Sequence, residues 1–189
     1  MPDRAFILKK LKANLDRSRF EHSLRVEKTA VTLARRHGVS VIKASLAALI
    51  HDYARKYSRV ELLKQARRFK IKIDPVSQFE PKLLHAELSA LLAKKDFKIL
   101  DKQVLAAIRK HTVGAPKMSK LDKIIFLADH IEEGRSFSGV RKVRRLATKD
   151  LDGAVAESAA NSLKYLLKLG LPICSGTIQT RNYYLLNNI

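Results

Sequence analysis

The sequence predicts an all-α protein, and three observations carry that prediction. Apolar residues recur at helical spacing along almost all of the 189 residues. Strand-like alternation is rare. Glycine and proline, the residues that most readily interrupt helices, number only 7 and 5. The length fits one domain, or one domain with a helical extension, and no repeat, low-complexity tract or long linker divides it.

The expected helices span approximately 3–14, 18–37, 41–56, 59–70, 82–95, 101–112, 119–132, 139–148 and 151–169. Ser18, with Glu21 three residues on, reads as an N-cap and capping box. Gly38 and Gly114 stand where a left-handed residue closes the second and sixth helices, and Gly170 ends the last long one. Pro75, Pro81, Pro116 and Pro172 fall in connections. The tail LPICSGTIQTRNYYLLNNI is rich in β-branched and aromatic residues and is expected to be irregular structure capping the bundle.

Composition excludes several classes. With 46% hydrophobic and 30% charged residues the chain is globular rather than disordered. No run approaches the ~18 apolar residues of a membrane span. The start, MPDRAFILKKLKANL, has no uninterrupted apolar stretch followed by a small-residue cleavage site. The single cysteine, Cys174, precludes an internal disulfide and suits a reducing compartment. The chain is therefore expected in the cytoplasm. The net charge of +20 and pI of about 10.3 point to anionic partners, RNA and nucleoside polyphosphates among them. The densest basic stretches are Arg55–Lys72 and Arg141–Lys149.

The chemistry lies in the histidines. A lone histidine on an apolar helix face is usually a satisfied core residue, so the question is whether the six act together. His22 shares a stripe with Val26, Ala30 and Leu33. His51 and Asp52 end the apolar run ASLAALI, and His85 lies on the face of Leu88 and Leu92. His111 follows Val104 and Ile108, and Asp129 follows Ile125 and Phe126. A carboxylate on a buried stripe is costly without a cation. Four inward histidines and two inward aspartates with no thiolate suit iron, manganese, cobalt or zinc in a hydrolytic centre. Six ligands suit two metals better than one. Two ions ~3.5–4 Å apart can activate a bridging hydroxide and stabilise a phosphoryl oxygen. Of the remaining histidines, His37 reads as structural beside Gly38, and His130 neighbours Asp129, where it is a secondary candidate for the cleft.

The order His22, His51-Asp52, Asp129 resembles the HD phosphohydrolase superfamily. The blocks EHSLRV, LIHDYAR, LLHAELSALLA, AIRKHTVG, MSKLDKIIFLADHIEEGRSFSGV and TIQTRNYYLL, from about Phe20 to Leu186, resemble the YqeK family in particular. That resemblance implies an all-α HD-domain helical bundle and a di-iron or similar centre. It also implies symmetrical hydrolysis of diadenosine tetraphosphate to two ADP. Carried over by position, one metal would be held by His22, His51 and Asp129, with Asp52 bridging. The second would be held by His85 and His111 together with Asp52. Arg55 would neutralise phosphate charge, its planar fork suiting bidentate contact. Thr112, Gly114 and Arg135 match the family's HTxG and IExxR elements and would lie at the substrate mouth. Departures from the family pattern are His130 for the usual tyrosine, Glu133 for the usual proline, Glu87 among the small residues after the third histidine, and the unusually basic charge.

The expectation is thus a single HD-type domain over 1–189. Its metal core spans about 18–135, and its C-terminal helices and tail, 139–189, pack on that core. Asp52, Arg55 and Arg135 are the expected catalytic residues. Arg55, Thr112, Gly114, His130 and Arg135 are the expected substrate contacts. Two metal ions, iron first and manganese or cobalt as substitutes, are the expected cofactors. Homodimerisation follows from the resemblance alone. Alternatives that use the same residues are an HD nucleotidase or polyphosphate hydrolase of other specificity, a nucleic-acid-binding HD protein, and a degenerate scaffold.

Overall fold

A computed structural model describes residues 2–187. Its elements in order are α1 (Arg4–Asn14), α2 (Arg17–Arg36), α3 (Val41–Ile50), a 3-10 turn (Tyr53–Lys56), α4 (Arg59–Arg68), α5 (Pro75–Phe79), a second 3-10 turn (Pro81–Leu84), α6 (His85–Phe97), α7 (Lys102–Lys110), α8 (Lys120–Ile131), α9 (Val140–Ala147), α10 (Leu151–Lys168) and α11 (Ser175–Leu186). No strand occurs among the described residues. None of these helices is long and apolar enough to cross a membrane.

The bundle is built around α3. Ala44 and the run Leu46–Ile50 are all buried, so this helix is apolar on nearly every side, as a central helix must be. It packs on α2 and α7, and α8 closes the group by packing on α2, α3 and α7. Buried side chains from Ile7 to Tyr184 form one connected hydrophobic cluster. Lys110 on α7 donates to Asp122 Oδ2 at 2.7 Å, and Asp122 is the return partner of Ser119 in the capping box of α8. One buried carboxylate thus fixes both the start of α8 and its registration against α7.

Several expectations change in the structure. The cap of α2 is Asp16, which accepts from the Arg19 amide at 2.8 Å; Ser18 lies inside the first turn, and Glu21 pairs with Arg17 instead. The helix expected over 41–56 stops at Ile50. Beyond it the ladder tightens to 3-10 geometry: Arg55 N donates to Asp52 O, and Ala54 N donates to Ser89 Oγ on α6. The helix expected at 82–95 begins at His85 after a 3-10 turn. Pro75 opens α5 rather than lying in a connection, because its missing N–H costs nothing at the first helical position.

The tail is the largest correction. Residues Ser175–Leu186 form a helix, not irregular structure. Thr177, Thr180 and Tyr184, at helical spacing, face inward, so packing overrides the weak helix propensity of threonine and tyrosine. Thr180 donates to Val113 O at 2.9 Å, and the Tyr184 hydroxyl accepts from Met118 N at 2.6 Å. Helix α11 therefore braces the 112–118 segment that follows His111. The last two residues of the tail, 188–189, lie outside the described residues.

Candidate metal centre

The six proposed ligands, His22, His51, Asp52, His85, His111 and Asp129, come from five separate helices or helix ends and meet in one buried place. His51 and His111 are both C-cap residues, of α3 and α7. A helix end leaves its last carbonyls unpaired. Each of these histidines answers one, donating from Nδ1 to Ala48 O at 2.6 Å and to Ile108 O at 2.7 Å. His85 does the same at the start of α6, towards Lys82 O. His22, in mid-helix, has no free carbonyl, and its Nδ1 faces Glu132 Oε1 at 3.3 Å.

These partners fix the tautomers. With Nδ1–H committed to an acceptor, a neutral imidazole presents a bare lone pair at Nε2. All four Nε2 atoms point to the two aspartates. His22 Nε2 lies 3.0 Å from Asp129 Oδ1, and His51 Nε2 lies 3.5 Å from Asp52 Oδ2. His85 Nε2 and His111 Nε2 stand 3.0 and 3.7 Å from Asp52 Oδ1, and 2.9 Å from each other. The Nε2 atoms of His22 and His51 are buried without an aligned hydrogen-bond partner. Acceptors facing acceptors in a buried site repel unless a cation lies among them.

A proton is a poor candidate for that cation. Burial and the neighbouring His51 and His85 push His111 down to about 3, and burial lowers His51 as well. Burial alone would raise Asp52 and Asp129. The surrounding histidines outweigh it, and both carboxyls are held well below the usual range. Uncharged imidazoles at His51 and His111 thus stand beside the ionised carboxyls of Asp52 and Asp129, the donor set of a divalent transition metal. Two groups have ligand atoms close enough to share an ion: His22, His51 and Asp129; and His51, Asp52 and His111. Asp52 turns Oδ2 to the first side and Oδ1 to the His85/His111 side.

The other expected site residues divide. Thr112 belongs to the centre itself, its hydroxyl 3.0 Å from His111 Nε2 and 3.3 Å from His85 Nε2. Arg135 grips Asp129, with Nη2 donating to Oδ1 at 2.7 Å and Nε to the backbone carbonyl at 2.9 Å. Arg55 lines a cavity of about 290 Å³ with Asp16, Arg19, Tyr57, Ser58, Arg59, Leu62 and Lys82. Gly114 has φ +71, and a Cβ there would meet Thr180 Cγ2 at 2.5 Å, so its role is to let α11 approach. The His130 imidazole is taken up by Ser162 Oγ at 3.2 Å and Phe126 O at 3.1 Å. His37 bonds Ala147 O at 2.8 Å, away from the centre.

Sequence reasoning missed Arg19 and Glu132. Arg19 donates to Asp52 Oδ2 at 2.7 Å. Glu132 is buried and accepts from Arg25 Nε at 2.7 Å and Gly134 N at 2.6 Å besides facing His22. Both carried a signal: each stands three residues from a ligand on the same helix face, before His22 and after Asp129.

Comparison with known proteins gives the family. The HD domain model matches residues 19–134, more than half of the chain, which makes this an HD-domain protein. A symmetrical bis(5'-nucleosyl)-tetraphosphatase of Halalkalibacterium halodurans is 41% identical over 97% of this chain and 98% of its own. That of Bacillus subtilis is 37% identical over 92% of each. A crystal structure from Clostridium acetobutylicum, described as an HD superfamily hydrolase involved in NAD metabolism, superposes with a TM-score of 0.94 over 99% of both chains at 37% identity. The chain belongs to the YqeK-type branch of the HD phosphohydrolases, and its class is that of hydrolases acting on phosphoric anhydrides.

Proposed function

We propose that this chain hydrolyses diadenosine tetraphosphate symmetrically, to two ADP, in the cytoplasm. The observation that carries the reading is the convergence of four Nε2 lone pairs on the two carboxylates of Asp52 and Asp129, in a chain whose relatives bear the name of that activity. His22, His51 and Asp129 would hold one ion and His85 and His111 a second, with Asp52 shared between them. Iron is the expected metal. The ions would lower the pKa of water to the neutral range and stabilise charge on the phosphoryl oxygens.

The protein's own side chains do the rest. Arg19, Arg55, Arg59 and Lys82 gather around the cavity beside Asp52; Arg19 is paired with Asp52 and Arg59 with Glu80, so Arg55 and Lys82 are the cations it offers first to a polyphosphate chain. Arg135 holds Asp129 by its backbone carbonyl and its carboxylate Oδ1 and so fixes the carboxylate's orientation. The Thr112 hydroxyl, the one neutral donor among the Nε2 atoms, is positioned to orient an attacking water or a phosphoryl oxygen. An ADP leaving group needs no strong general acid.

The test is a product assay. Ferrous, manganous and cobaltous forms are given diadenosine tetraphosphate, and the nucleotides are separated chromatographically. ADP as sole product supports the reading, whereas ATP with AMP, or no turnover, overturns it. Since the Clostridium relative is described as involved in NAD metabolism, NAD belongs in the same substrate panel. Asp52→Ala is expected to abolish turnover and reduce the bound metal measured by elemental analysis. Full activity in that variant would remove the shared-ligand arrangement.

A further inference from the structure

Hydrolysis of a small nucleotide leaves most of the +20 charge without a role. Many exposed cations are neutralised locally, as in Arg17–Glu21, Lys28–Glu133, Arg109–Glu87 and Lys142–Glu157. One face is different. It is made by α1, the 53–56 turn and the C-terminal ends of α4 and α6, and on it lysines lie against aromatic rings. Lys10 Nζ stands 5.1 Å from the Phe6 centroid, Lys56 Nζ 5.2 Å from Tyr57, and Lys95 Nζ 5.8 Å from Phe69. Lys10 donates to Asp96 O at 2.7 Å, and Lys56 reaches Asn14 Oδ1 at 3.5 Å, so α1, the turn and α6 form a continuous surface.

None of Lys10, Lys56 and Lys95 has a carboxylate at ion-pair distance among the described residues. Burial lowers the Lys56 ammonium; Asp96 opposes that, and Lys10 and Lys95 add repulsion, which places both of them within the field of Lys56. Phe6 is 44% exposed, and Tyr57 and Phe69 are half-buried. Aromatic residues are only 6% of the chain, yet these three gather where the cations are unpaired. Tyr57 also lines the cavity next to Asp52, so the face runs up to the candidate centre.

We propose that this face binds single-stranded nucleic acid, with phosphates on Lys10, Lys56 and Lys95 and bases stacked on Phe6, Tyr57 and Phe69. Unpaired cations supply sequence-independent affinity, and rings beside them take the π-faces of unpaired bases. In a duplex those faces are already stacked. A bilayer surface would require apolar side chains standing clear of the charge, whereas here each ring carries an ammonium.

The test uses the metal-loaded full chain and fluorescence anisotropy with a labelled oligouridylate of about 20 nucleotides. Binding is expected to weaken with salt at a log–log slope of about −2, from roughly 0.7 per phosphate neutralised on a single strand. Lys10→Gln with Lys95→Gln should flatten that slope by about 1.4. Phe6→Ala should weaken binding roughly 5- to 100-fold, as loss of a stacking ring does. Both variants should keep wild-type nucleotide hydrolysis and melting temperature; if Phe6→Ala does not fold, the lysine pair decides alone. Arg141→Gln with Arg145→Gln, exposed on α9, is the control for bulk charge. Equal loss in that control would overturn the proposal. So would duplex affinity matching that of the single strand, equal capture by phosphatidylserine vesicles, or no binding at low salt.

Discussion

At the residue scale the decisive feature is how each histidine is held. Three of the four answer a carbonyl three residues back, and the fourth faces a buried glutamate. Glu132 is itself fixed by Arg25 and the Gly134 amide, and Arg144 donates to the carbonyls of Ile131, Glu132 and Arg135 to hold the segment in place. Glu132→Gln keeps the shape but removes the charge that faces the His22 Nδ1 atom. Metal affinity, measured by competition with a chelating dye, is expected to fall roughly 10- to 100-fold, the usual consequence of losing such a partner. Unchanged affinity would mean that Glu132 serves only the fold. Of these residues the candidate ligands were legible in the sequence, because a polar residue on an apolar stripe stands out. Glu132 and Arg19 showed only their three-residue spacing from Asp129 and His22, because their importance depends on partners on other helices.

Helix boundaries matter more to the site than helix positions do. Adjacent residues of a continuous helix diverge by roughly 100°. By ending α3 at Ile50, the chain frees His51 and Asp52 to face one centre. At the other edge, Gly114 combines a left-handed backbone with contact to Thr180 on α11. Gly114→Ala should therefore destabilise the protein by roughly 1–3 kcal/mol through strain at positive φ, with thermal denaturation as the measurement. Packing of α1 and α3 on α2 depends on Glu27, which accepts from Arg4 at 2.7–2.9 Å and from Ser45 at 2.6 Å. Burial would raise this carboxyl, but those bonds outweigh it and lower it from 4.5. A group whose folded pKa is depressed stabilises fully above its unfolded pKa, and the contribution is lost as pH falls through the folded value. The urea midpoint of wild type should exceed that of Glu27→Gln at about pH 7, and the gap should close towards about pH 3. Since Arg4 is 56% exposed, solvent screening keeps the gap small. A gap independent of pH would exclude the ion pair as its source.

The whole molecule carries a field that no single contact explains. A net charge of +20 around a cleft lined by Arg19, Arg55, Arg59 and Lys82 should draw polyanionic substrate inward. For diadenosine tetraphosphate, kcat/KM is expected to fall about tenfold or more between low and high ionic strength, while kcat stays nearly constant. A parallel fall in kcat would show instead that salt disturbs the chemistry.

The sequence by itself determined the all-α class, most helix positions and the inward-facing histidines and aspartates of the candidate centre, because each depends on local periodicity, and burying a charged or imidazole group against an apolar stripe leaves a visible mark. It could not determine that the tail is a helix, since α11 exists through its inward Thr177, Thr180 and Tyr184 rather than through local propensity. Nor could it separate Arg135, which clasps Asp129, and His130, which is spent on Ser162, from Arg55, which faces the cavity. Those distinctions are set by where a side chain finds its partner across the bundle, up to 110 residues away in the case of His22 and Glu132, and only the tertiary structure decides that.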